Sequence, residues 1–250
     1  MTPLDRVRIE KAAADCGFEI TPLEVAGGLT LRSARFPETV SVAQEDGGAF
    51  RITASNPLLL VNEDAGAAVR IAGYSDLYAA LKMASARART LPDRVADQFK
   101  KAVSGMPSAT EAERQIIQRI GQDLFRTALL DYWHGRCCIT GLSVPALLRA
   151  SHIKPWAKCA SDEERLDVFN GLLLAPHVDA LFDGGWISFA DDGTVIVSGA
   201  LPADDAQRIG FSPAWRLHGL QPCHRAYLLF HRERELRHVP QDTTPLPSRN

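Results

Sequence analysis

The chain has 250 residues, 46% hydrophobic and 23% charged, with a formal net charge of −2 and a pI near 6.4. This apolar content excludes a disordered chain, and the length leaves room for one large or two small packed domains. No run of about 18 apolar residues and no charged-then-apolar leader is present, so a soluble, cytoplasmic protein without a membrane segment is predicted. Balanced charge argues against a uniformly basic nucleic-acid binder. The regional distribution is uneven, however: basic and acidic side chains number 9 and 6 over 84–136, 5 and 10 over 137–215, and 6 and 3 over 216–250. An acidic stretch flanked by basic ones suits a cation site with anion-attracting surroundings.

From the amino terminus, Arg6 to Cys16 reads as a short amphipathic helix stopped by Gly17. Alternating apolar runs follow at Leu29–Phe36, Val40–Ala43 and Phe50–Thr53, separated by turn residues, and these predict a small antiparallel sheet. Ser75 is a candidate cap for a helix through Leu77, Leu81 and Ala84, and Pro92 suits the first turn of another reaching Val103. Residues 1–104 thus form an α+β domain, a candidate for DNA recognition or partner binding. The segment 104–110 reads as a linker.

From Glu113, Ile116, Ile117, Ile120, Leu124, Ala128 and Leu129 recur at helical spacing. Arginines on such a helix are usually a solvated face; Arg126 is the candidate phosphate contact among them. After G-R-C-C-I-T-G-L, strands are predicted at Leu147–Ile153 and Asn170–Leu174, a helix at His177–Phe182, a hairpin across Trp186–Val197 and an Arg/His-rich helix at Gln221–His238. The domain is assigned to 113–240, followed by a flexible tail at 241–250. Five cysteines, odd in number and irregularly spaced, predict reduced thiols.

Between Ser151 and Asp183 the chain carries S-H-I-K-P-W and then N-G-L-L-L-A-P-H-V-D-A-L-F-D. A lone histidine in a strand is more often structural than catalytic, but His152 is accompanied by Asn170 and by His177, Asp179 and Asp183. Hydrolysing a phosphodiester calls for a base near neutrality, which imidazole provides. It also calls for a divalent cation beside the leaving oxygen. Asp179 and Asp183 stand four apart, so a helix places both carboxylates on one face. Asn170 can hydrogen-bond backbone on both sides of the intervening loop. His177 is left open between helix cap, phosphate contact and metal ligand. Lys154, Trp156 and Lys158 lie close to His152 in sequence and are candidate nucleic-acid contacts, Trp156 equally a packing residue.

These motifs resemble the ββα-metal motif of the HNH endonuclease superfamily, in particular the restriction-endonuclease-like branch with A/S-H-I-x-P-W and N-G-L-L-L…L-F-D. The resemblance spans about residues 114–238. It implies that His152 is the general base, Asn170 positions the loop, and Asp179 and Asp183 bind one Mg²⁺ or Mn²⁺ ion, with Zn²⁺ as the alternative. Asp179 stands where the family has its final histidine, and Ser151 where many members place a ligand. Some members bind structural zinc through two C-x-x-C pairs; Ala175 and Val178 stand where the second pair would fall, so no structural zinc is expected and Cys137 and Cys138 are read as core thiols. The implied function is metal-dependent cleavage of double-stranded DNA, in a bacterial restriction or defence setting, and double-strand cutting would call for a homodimer. The alternatives are a catalytically degenerate DNA- or protein-binding module and an RNA-directed nuclease.

Overall fold

The computed structural model describes residues 1–25, 27–60 and 68–238. The expected tail at 241–250 lies outside the described residues. Two compact units are formed, Met1–His134 with Leu166–Val168, and Gly135–Arg165 with Phe169–Asn250. The architecture is α+β.

In the first unit, helix α1 (Pro3–Asp15) starts before Arg6 because Thr2 caps it, its hydroxyl accepting from Asp5 N at 3.2 Å, and Pro3 fits the first turn. Strands β1 (Ile20–Val25), β2 (Gly28–Arg32), β3 (Val40–Gln44), β4 (Phe50–Ala54) and β5 (Ala68–Ile71) make an antiparallel meander in sequence order. The edge strands β1 and β5 are the two that alternation does not reveal. β1 contains Pro22 and breaks register between Ile20 and Leu23, and β5 is only four residues long. Leu29, Leu31, Val40, Val42, Phe50 and Ile52 project from one face into a core with Ile9 and Ala13 of α1. Leu77 and Leu81 reach the same core from helix α2 (Tyr74–Thr90). Each such Leu, Ile or Phe stabilises the unit by roughly 1.5–3 kcal/mol relative to exposure. α2 begins before Ser75, at Gly73-Tyr74, with no side-chain cap, so Ser75 is not the cap that its residue type suggests.

Helix α3 (Pro92–Val103) begins at its proline as expected. Helix α4 (Glu111–Tyr132) opens with a reciprocal capping box between Thr110 and Glu113, which ends the linker at Ala109. The sequence groups this helix with the carboxy-terminal domain; in the fold it packs on α2 and α3 in the first unit. The Arg89–Asp131 ion pair, at 2.8 Å, ties it to α2.

The second unit contains β6 (Arg149–His152), α5 (Asp162–Arg165), β7 (Gly171–Leu174), α6 (Pro176–Asp183), β8 (Ile187–Phe189), β9 (Val195–Val197), α7 (Ala203–Arg208) and α8 (His224–Arg234). β6 pairs antiparallel with β7, and β8 with β9. The buried thiol of Cys137 accepts the N–H groups of Thr140 and Ala175, at 3.4 and 3.2 Å, and so fastens the turn before β6 to the β7–α6 junction. At the opposite end of α6, His231 of α8 bonds Phe182 O at 3.2 Å and Ser188 Oγ at 2.9 Å, its ring stacked 4.0 Å from that of Phe182. Gly185 has φ +69°, and a Cβ there would lie 2.1 Å from Glu235 O. Only glycine allows the chain beyond α8 to close on α6 this tightly.

Candidate active site

β6 and β7 place His152 opposite Gly171, and Ile153 N donates to Asn170 O at 3.0 Å. Asn170 is fully buried. Its side-chain oxygen accepts from Lys154 N at 2.7 Å, while its amide nitrogen donates to Lys154 O at 3.2 Å and Glu164 O at 3.1 Å. An amide alone offers acceptor and donors together for this. One side chain therefore closes both ends of the 153–169 loop. Arg165 tightens the same loop from its other side, donating to Trp156 O and Cys159 O at 3.3 and 3.0 Å.

The loop delivers a carbonyl to the histidine: His152 Nε2 stands 2.8 Å from Arg165 O. A carbonyl only accepts, so Nε2 carries the proton and Nδ1 is the basic nitrogen. Burial pushes the imidazole below its ordinary pKa, opposed by the Arg165 carbonyl and the charge of Asp183. His152 is therefore neutral at pH 7, as a general base must be. The Trp156 ring meets it edge-on, 5.5 Å between centroids and at 87°.

On α6, Asp179 is half-buried and Asp183 exposed, one turn apart. Burial raises the Asp179 pKa, the Ser151 hydroxyl lowers it, the neighbouring Asp183 raises it and Arg149 lowers it. Ser151 Oγ is itself buried and lacks a partner of hydrogen-bond geometry. A carboxylate drawn from water beside a second carboxylate and an unsatisfied hydroxyl suits a hard cation. Among the described residues no group of three or more His, Cys, Asp or Glu is placed to hold a metal, and α6 offers Asp179 and Asp183 as a pair on one face. His177 does not join it: two residues from Asp179, it leaves another side of the helix, and its ring lies 5.6 Å from that of Trp215.

Residues 137–190 match the family model described as HNH endonuclease. This segment is an HNH domain. No curated protein matches the chain, and among the described residues no helix is long and apolar enough to cross a membrane. The HNH segment begins at the Cys137 turn and ends just after β8, a narrower stretch than the resemblance read from the sequence.

Within the HNH domain the two lysines nearest His152 in sequence are engaged by acids. Lys154 Nζ pairs with Glu164 at 2.6 Å, mostly buried, and Lys158 Nζ bonds both oxygens of Glu235 at 2.6 and 2.8 Å. Trp156 packs on His152 and under the Arg165 guanidinium, 5.8 Å from its centroid. Arg126 is half-buried on α4, in the first unit. Sequence reasoning missed Glu164 and Arg165, which lie in the loop between the two predicted strands. The signal was the S-D-E-E run: Ser161 Oγ accepts from Glu164 N, and Glu164 reaches back to Ala160 N at 2.6 Å, a helix-start pattern that shapes the loop.

Proposed function

We propose that the chain is a metal-dependent endonuclease that hydrolyses DNA phosphodiester bonds at the HNH domain, with His152 as general base. The observation that carries this reading is the Nε2–H bond from His152 to Arg165 O, which leaves Nδ1 as the proton acceptor on a ring kept neutral by burial. Nδ1 takes a proton from water as its oxygen attacks phosphorus. The P–O3′ bond breaks opposite, and the departing oxygen gains a proton from solvent, giving 5′-phosphate and 3′-hydroxyl ends. Asn170 positions the base by holding the loop that supplies the Arg165 carbonyl. Asp179 and Asp183 would hold one Mg²⁺ or Mn²⁺, which, when bound, stabilises charge on the leaving oxygen. Both ions favour oxygen donors and retain water in their shell, consistent with a site of two carboxylates.

The test is digestion of supercoiled plasmid with Mg²⁺, Mn²⁺ or EDTA, wild type beside His152→Ala. Metal-dependent nicking by the wild type that is lost in the variant supports the reading. Equal cutting by both rejects His152 as base, and DNA binding without cutting under any metal favours the degenerate binding module.

A further inference from the structure

Because Lys154 and Lys158 are neutralised by Glu164 and Glu235, the cations that meet a nucleic-acid backbone at this site must come from elsewhere. Two arginines of the second unit reach α6. Arg149 begins β6, three residues before His152, exposed and, among the described residues, without an ion pair or hydrogen bond from its side chain. In a strand it shares a face with Ser151, the residue beside Asp179. Arg237 approaches the other end of α6. Its Nε donates to Gly184 O, the residue after Asp183, at 2.7 Å, and its guanidinium lies 4.0 Å over the Trp186 ring. Its backbone is pinned as well, N to Gly185 O at 2.8 Å and O to Ser198 Oγ at 2.6 Å. These contacts hold an exposed arginine in one orientation while, among the described residues, its two terminal nitrogens bond no acceptor.

Fixing a long surface side chain costs conformational entropy, which is here already lost within the protein. An immobilised guanidinium fork with unused donors has the geometry that matches phosphate oxygens. We infer that Arg149 and Arg237 are the phosphate-gripping residues of this site, binding DNA backbone phosphates on either side of the α6 carboxylates. The inference rests on the nuclease reading for the identity of the ligand, and adds which cations hold it.

Binding of a fluorescein-labelled 20-base-pair duplex to the full chain, followed by anisotropy in EDTA across a salt series, tests this separately from cleavage. Each neutralised phosphate contact contributes about 0.9 to the slope of log K against log salt. Arg149→Gln and Arg237→Gln should each reduce the slope by about 1 and weaken binding roughly five- to tenfold at 0.1 M salt. The double variant should lose about two contacts. Arg237→Lys should bind better than Arg237→Gln but below wild type, since it keeps charge and loses the stacked fork. The double variant Lys158→Gln/Glu235→Gln, which removes a mutually neutralised pair, should match wild type in slope. Thermal melting of the arginine variants at the wild-type temperature excludes misfolding as the cause. Wild-type slopes in both arginine variants overturn the proposal, as does the absence of salt-dependent duplex binding by the wild type. A wild type that binds through these arginines yet never nicks plasmid leaves the proposal standing and removes the nuclease reading.

Discussion

Lowering the pH should loosen the second unit through one buried histidine. His231 is 2% exposed, and its pKa is lowered to about 4, chiefly by burial, with the Phe182 carbonyl and the charges of Glu235 and Asp183 pulling the other way. The unfolded chain binds this proton from about pH 6.5. Between 6.5 and 4 the unfolded state therefore holds more protons than the folded one, so stability falls as the pH drops through this window and levels off below it. At about 1.4 kcal/mol for each pH step, full protonation is worth about 3 kcal/mol, and about 2.5 kcal/mol is lost by pH 4.5. The assay is urea unfolding in EDTA at pH 7 and pH 4.5. Fluorescence favours the second unit, because three of the four tryptophans, Trp156, Trp186 and Trp215, lie there. His231→Phe retains a ring against Phe182 but cannot titrate. It should be less stable at pH 7, having removed the partner of buried Ser188, and should lose about 2.5 kcal/mol less on acidification. An identical pH dependence in variant and wild type would refute the assignment.

Other outcomes follow from the same geometry. Asn170→Ala removes bonds to three part-buried backbone groups and should destabilise the second unit by about 3 kcal/mol in urea unfolding, with loss of plasmid cutting. Asp179→Asn should leave stability at pH 7 in EDTA equal to or above wild type, since burial disfavours the charged form and relief grows as pH rises through the folded pKa, while metal-dependent cutting is lost; a marked fall in melting temperature would contradict this. The lowered pKa of His152 places the acid limb of the cleavage rate below pH 6.5, readable from a pH–rate profile in Mn²⁺. Gly185→Ala combines a positive φ with a clash against Glu235 O and should cost about 2 kcal/mol or more by thermal or urea melting.

Much of the site was legible because its chemistry sits in short, contiguous motifs. β6, β7 and α6 stand within a few residues of their expected spans, and the i, i+4 relation of Asp179 and Asp183 follows from helix geometry alone. The roles of Lys154 and Lys158 were not legible, since their partners lie 10 and 77 residues away and closeness to His152 in sequence says nothing of where the charge is spent. His177 was ambiguous until the helix phase fixed its direction. The edge strands β1 and β5 escaped because a proline and a short length erase alternation. The allegiance of α4 depends on packing against α2 and α3, which its own periodicity cannot specify.

The segment after α8 also sets a time at which the site can exist. Glu235 holds Lys158 of the 153–169 loop, Arg237 holds Gly184 and Gly185 at the end of α6, and Ser198 is fastened to the same residue. A ribosome reads these clasps last among the parts that meet here. While the nascent chain still ends before residue 235, the 153–169 loop and α6 lack these ties. Released chains truncated at residue 230, compared with the 250-residue chain and probed with a protease for cutting within 153–169, should be the more easily cleaved. Lys158, Gly184 and Gly185 thus gain these ties only after residues 235–237 have been made.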